Sequence, residues 1–86
     1  MTMSVRILFF ASLREKLGVS AEEVPLPEGV DTVGKLRAFL AQRPGAWASI
    51  SSDTRLRAAV NQRMADGGTP VGEGDEVAFF PPVTGG

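Results

Sequence analysis

The sequence predicts an α+β fold, a mixed sheet with one main helix packed on one face. Three observations predict it. The chain is 86 residues long, which makes one domain. Its apolar positions alternate with period two in segments near both ends, and between them they recur at helical spacing. The two end segments are also the most apolar, which places both as central strands of the sheet.

Ser4 to Ala11 reads as the first strand. Val5, Ile7 and Phe9 fall on one face, Leu8 and Phe10 on the other. Ser12-Leu13-Arg14-Glu15 has the form of a capping box opening a short helix, with Leu13 and Leu17 on one side and Gly18 as its stop. Val19 to Leu26 follows as a second strand. Asp31 or Thr32 can cap the main helix. Its buried stripe is Val33, Leu36 and Leu40 with Phe39 beside it, while Lys35, Arg37 and Gln42 are assigned to solvent. Pro44-Gly45 ends it. Trp47 and Ile50, three apart, suggest a helical turn packed on the core, with Trp47 as an anchor rather than a binding residue. Leu56 to Gln62 reads as a strand, Gly67-Gly68 and Gly72-Glu73-Gly74 as turns, and Asp75 to Phe80 as the last strand. Pro81 and Pro82 lack amide donors, so regular pairing should stop at Phe80.

Composition excludes several kinds of chemistry. Nine basic and ten acidic residues give a net charge of −1, which offers no electrostatic reason to expect nucleic acid or an anionic membrane as partner. The chain has no cysteine and no histidine, so thiol catalysis, disulfides and the commonest general base are absent from it. The apolar run Ile7 to Ala11 is broken by Arg14, Glu15 and Lys16, too soon for a signal peptide or a membrane span. A soluble cytoplasmic protein is expected. Gly72-Glu73-Gly74-Asp75 precedes a strand rather than a helix and has no Lys or Ser/Thr after it, so it is a turn and not a phosphate loop. Glu22-Glu23 and Glu73-Asp75-Glu76 read as solvated acids, and no metal site is expected. Arg55 and Arg57 read as solvent-facing, with a possible part in docking.

The chemistry is expected at the C-terminal end. Two final glycines bury nothing and are costly to order, and fraying is the default for such an end. Here, however, Gly85 and Gly86 follow a stiff root of two prolines after a strand ending Phe79-Phe80. An end without side chains can thread a channel too narrow for any residue with a Cβ. Extended, Pro81 to Gly86 would reach about 20 Å. Its carboxylate is ionised at neutral pH and a poor electrophile. The chain has no nucleophile–base pair or phosphate loop to activate it, so activation must come from a partner.

Leu8-Phe9-Phe10-Ala11-Ser12-Leu13-Arg14-Glu15, Ala59-Val60-Asn61-Gln62 and Gly74 to Gly86 with its Phe-Phe-Pro-Pro-Val-Thr-Gly-Gly ending resemble the MoaD family, the small subunits of molybdopterin synthase. The resemblance covers the whole chain. It implies a ubiquitin-like β-grasp domain over residues 1–80 and an extended tail over 81–86. It implies a sulfur carrier that is not an enzyme by itself. In that cycle a MoeB-like activating enzyme adenylates Gly86 with ATP and magnesium, and a sulfur donor converts the adenylate to a thiocarboxylate. The tail, Pro81, Pro82, Val83, Thr84 and Gly85, then threads into a MoaE-like large subunit in a heterotetramer. There the sulfur passes to cyclic pyranopterin monophosphate for molybdenum cofactor biosynthesis. No cofactor is expected on the chain itself. The other functions open to such a chain are a thiamine-pathway sulfur carrier, a ubiquitin-like protein modifier, and a passive binding module.

Phe80, Phe10 and Met64 are the candidate docking residues beside the tail root, on a sheet face that the main helix leaves open. The alternative is that they fill a second small core, and a bulge could reverse the facing of Met64.

Overall fold

The computed structural model describes residues 3–82; residues 83–86, which hold Val83, Thr84, Gly85 and Gly86, lie outside the described residues. The elements run β1 (Ser4–Phe9), α1 (Ala11–Leu17), β2 (Ala21–Pro25), α2 (Val33–Ala41), a 3₁₀ turn (Gly45–Ala48), α3 (Ser49–Ser52), β3 (Arg57–Val60), β4 (Arg63–Ala65) and β5 (Glu76–Phe80). They build one five-stranded sheet in the order β2-β1-β5-β3-β4. β1 and β5 run parallel and every other pair is antiparallel. The first and last strands therefore both lie inside the sheet, as their double-sided apolar pattern requires.

The core sits between the sheet and α2. Val5, Ile7 and Phe9 of β1, Val77 and Phe79 of β5, Val24 of β2 and Ala58 of β3 turn inward to meet Val33, Leu36 and Leu40, with Ile50 beneath. Each large aliphatic or aromatic side chain buried there contributes about 2 kcal/mol by leaving water. Phe9 stacks on Phe79, with ring centroids 6.4 Å apart. Trp47 meets the other side of Phe9 edge-on at 5.5 Å. Trp47 is thus a half-buried anchor at the margin of the core. Thr32 caps α2 by accepting from the Lys35 amide at 3.2 Å.

The structure departs from the sequence reading at Ser12, at Arg37 and at the end of β3. The capping box at Ser12 does not form. The chain leaves β1 through Ala11, whose φ of 54° is left-handed, and Phe10 becomes the N-cap without a side-chain bond. Ser12 is then already inside the first turn. A left-handed alanine costs about 1–2 kcal/mol, which the burial of Leu13 helps offset. Second, Arg37 does not simply face water. Its guanidinium donates to the Ile50 carbonyl at 3.0 and 2.8 Å and to the Asp53 carbonyl at 3.1 Å, satisfying the open carbonyls of the short α3. Third, the strand expected over Leu56 to Gln62 ends at Val60. Asn61 and Gln62 have φ of 51° and 69°, which makes a two-residue type I′ turn into β4.

Candidate functional site

β5 is the element that aims the tail. It is held on both sides, pairing Ile7 with Val77 and Phe9 with Phe79 toward β1, and Ala58 with Phe79 and Arg57 with Phe80 toward β3. Its start is fixed by a polar cluster. Asn61 Nδ2 donates to Asp75 Oδ1 at 3.0 Å, the Glu76 amide donates to Asn61 Oδ1 at 3.0 Å, and the Gly72 amide donates to Asp75 Oδ2 at 2.9 Å. The strand ends at Phe80, and the half-buried Pro81 and Pro82 continue outside any ladder, as the missing proline donors dictate. The tail root therefore leaves from the middle of the sheet, at the end where β1 runs into α1.

The face opposite α2 carries the candidate docking residues. The register places Ala21, Leu8, Ala78, Ala59 and Met64 in one row across all five strands. Met64 pairs with Ala59, so it lies on this face, and no bulge reverses it. It is 67% exposed. Phe10 is still extended (φ −122°, ψ 156°) and donates its amide to the Phe79 carbonyl at 3.2 Å, which sets it beside Phe80. Phe10 is 46% exposed and Phe80 is half-buried. Together they form an apolar lip at the tail root above a floor of small side chains. A second row, Glu23, Arg6 and Glu76, lies toward the opposite end of the strands and bounds the apolar strip with charge. Neither Phe10 nor Met64 fills a second core.

The electrostatics of the folded body are quiet. Among the described residues no buried residue is polar or charged, and no buried side-chain polar atom lacks a partner. Among the described residues the pair with a displaced titration is Glu22–Arg43, at the margin of the helix-covered side. Both Arg43 amines donate to the Glu22 carboxylate, at 2.9 and 2.7 Å. These bonds hold the carboxyl below its ordinary range, helped by the charge and opposed by partial burial. Arg43 also lies 4.4 Å from the Trp47 ring centroid. Glu22 is the register partner of the inward-facing Ile7, so this pair lies on the side away from the open face and braces the edge strand β2 against the end of α2.

Of the candidate site residues, Phe10, Phe80, Pro81, Pro82 and Met64 are gathered on one face or at its exit, whereas Val83, Thr84, Gly85 and Gly86 lie outside the described residues. The sequence reading missed β4 and with it the pairing of Ala59 and Met64. The Asn61-Gln62 pair was the available signal, since Asn tolerates left-handed backbone, but the second turn residue is not the glycine that usually marks such hairpins.

The profile of the ThiS family matches residues 7–86. The molybdopterin synthase sulfur carrier subunit of Escherichia coli K12 is 46% identical over 82 residues, covering 95% of this chain and 99% of that protein. Among solved structures, the small archaeal modifier protein 1 of Haloferax volcanii superposes with a TM-score of 0.73 at 30% identity, over 96% of this chain and 99% of that one. A chain from the complex of subunits 1 and 2 of the molybdopterin-converting factor of Helicobacter pylori superposes at 0.63 and 27%, over 98% and 100%.

Proposed function

The chain belongs to the ThiS family, and from that premise we propose that it is the sulfur carrier and small subunit of molybdopterin synthase. The observation that carries the reading is the near-complete, 46% identical match to a sulfur carrier subunit, together with a β5 that delivers the Pro81-Pro82 root from the centre of the sheet. The carrier is not catalytic alone. Residues 1–80 serve as a docking body and residues 81–86 as its reactive arm.

In this reading the Gly86 carboxylate attacks the α-phosphorus of ATP on a magnesium-using activating enzyme, and pyrophosphate leaves. Sulfide-level sulfur from a donor then attacks the acyl carbon, the bond to AMP breaks, and a thiocarboxylate remains. Adenylation supplies the leaving group that a free carboxylate lacks. Gly85 and Gly86 carry no Cβ, so two different enzymes can close on the same atoms. The charged arm enters the large synthase subunit, with Phe80, Phe10 and Met64 seated against that subunit, and sulfur passes to cyclic pyranopterin monophosphate. The work is cytoplasmic. Among the described residues no helix is long and apolar enough to cross a membrane.

Intact mass spectrometry tests this. After incubation with the activating enzyme, ATP and a sulfur donor, one oxygen of the chain should be replaced by sulfur. Fusing a residue after Gly86 should abolish the change, and deleting Gly85-Gly86 should abolish molybdopterin formation in a reconstituted synthase. An undiminished yield from the deleted chain would sink the reading. A protein-modifier role is the second reading, favoured by the likeness to the archaeal modifier protein. Isopeptide-linked conjugates of this chain in cell extract would mark it.

A further inference from the structure

The charges of this nearly neutral chain are unequally divided along the strand axis: Arg6, Lys35 and Arg63 stand apart from the tail root, yet basic side chains still outnumber acidic ones at the tail-root end. β1 and β5 run parallel toward the tail root, and β3 begins there. At that end stand Arg14 and Lys16 on α1 and Arg55 and Arg57 at the start of β3, all exposed, against Glu15 and Asp53. The opposite end carries acidic loops with Glu28 and Glu73 exposed. Asp66 instead follows Ala65, the register partner of Ala58, and counts with Glu15 and Asp53 among the acids of the tail-root end. Arg57 is the centre of the basic group. It is the register partner of Phe80, so the two share the open face. Strands lie about 4.8 Å apart, which puts an arginine one strand away from the residue that launches the tail. Among the described residues Arg57 has no ion pair, and Arg55 touches Asp53 only at 3.7 Å with its side chain 81% exposed.

We infer that this basic collar steers the tail into its partner, and that the large synthase subunit carries a rim of carboxylates around the mouth of the channel that receives Gly86. The inference rests on the sulfur-carrier reading and adds to it the charge of the docking surface. Fold stability gives no reason to gather like charges there, since exposed unpaired arginines contribute little to it. Opposed charges at a docking rim act mainly on the rate of encounter and on orientation. Here the field would turn the tail end, rather than the acidic end, toward the channel before contact.

Stopped-flow association of the full chain with its large subunit tests this. The unmodified chain should associate more slowly as salt rises. Arg57→Glu should lower the association rate about 3- to 10-fold at low salt, Arg57→Gln should fall between, and the difference should fade at high salt. Lys35→Glu makes the same change of net charge at the acidic end and should leave the rate within about twofold of the unmodified chain. Circular dichroism should show all variants folded, since both side chains are exposed. An unchanged or faster rate for Arg57→Glu overturns the inference, and so does an equal slowing by Lys35→Glu, which would make net charge the cause. A chain that acquires sulfur and supports molybdopterin formation while Arg57→Glu associates normally leaves the carrier reading standing and removes only the collar. If the unmodified chain fails to bind the large subunit at all, both fall.

Discussion

Asn61 and Glu76 hold each other across the β3–β5 boundary. The Asn61 amide donates to the Glu76 carbonyl at 2.7 Å, and the Glu76 amide donates back to Asn61 Oδ1 at 3.0 Å. The same asparagine supplies the first left-handed residue of the type I′ turn, with φ of 51°. One side chain thus closes a hairpin and fixes where the tail-bearing strand begins.

Replacing Asn61 separates those two roles. Asn61→Gly keeps the turn but loses the side-chain bonds to Asp75 and Glu76, and should cost about 1–2 kcal/mol. Asn61→Ala loses the bonds and adds left-handed strain, so it should cost about 1 kcal/mol more. Urea denaturation at unchanged m-value measures both. Equal stability of the two variants would mean that the turn geometry carries no cost.

Gly34 predicts a second loss. Its amide donates to the Gly67 carbonyl at 2.9 Å, and a Cβ at position 34 would lie 3.0 Å from that oxygen. A single methyl could be met by a small shift of the loop and is partly offset by the better helix propensity of alanine. Gly34→Val has no such compensation. It should push the 66–69 loop from α2 and cost about 2 kcal/mol, read by urea denaturation.

Much of this architecture was legible in the sequence because burial and periodicity agree. Val5, Ile7 and Phe9, Val33, Leu36 and Leu40, and Val77 and Phe79 are all buried as their spacing requires. The Phe79-Phe80-Pro81-Pro82 junction ends the sheet where two prolines in succession must end it. What was hidden depends on local backbone choices that pattern does not encode. Ser12 lost its capping role because Ala11 enters the left-handed region. Arg37 found carbonyl partners 13 and 16 residues away. Met64 could be assigned to a face only once the Asn61-Gln62 turn had set its register against Ala59. The tail reading came from residues 83–86 as a motif, outside the described residues.

The Glu22–Arg43 pair sets a pH dependence. Two hydrogen bonds from Arg43, the larger cause, and its charge lower the Glu22 carboxyl below its ordinary value. A carboxyl lowered in the folded state contributes stability that is fully present above its unfolded value of about 4.3. That contribution is lost as pH falls through the lowered folded value. Both side chains remain about one-third exposed, so screening limits it to about 1 kcal/mol. The stability gap between the unmodified chain and Glu22→Gln, measured by urea denaturation, should be present at pH 7 and close in acid. A gap that widens on acidification would contradict the pairing.

Phe79 and Phe80 are adjacent in sequence and opposite in role, and their alanine variants should fail differently. Phe79 is fully buried, stacked on Phe9 and framed by Ala58, so Phe79→Ala leaves a cavity in the core. It should cost about 3–5 kcal/mol, enough to unfold much of a small domain near physiological temperature. Phe80 lies on the open face and is half-buried, so Phe80→Ala should cost about 1 kcal/mol in folding. Its loss should appear in binding instead, because an aromatic side chain at the centre of an interface commonly contributes about 2 kcal/mol or more. Calorimetric titration against the large subunit should show about a 30-fold weaker complex for Phe80→Ala, with an unchanged fold by circular dichroism. Normal affinity in a folded Phe80→Ala chain would remove this residue from the docking surface and leave Phe10, Met64 and the tail to hold the partner.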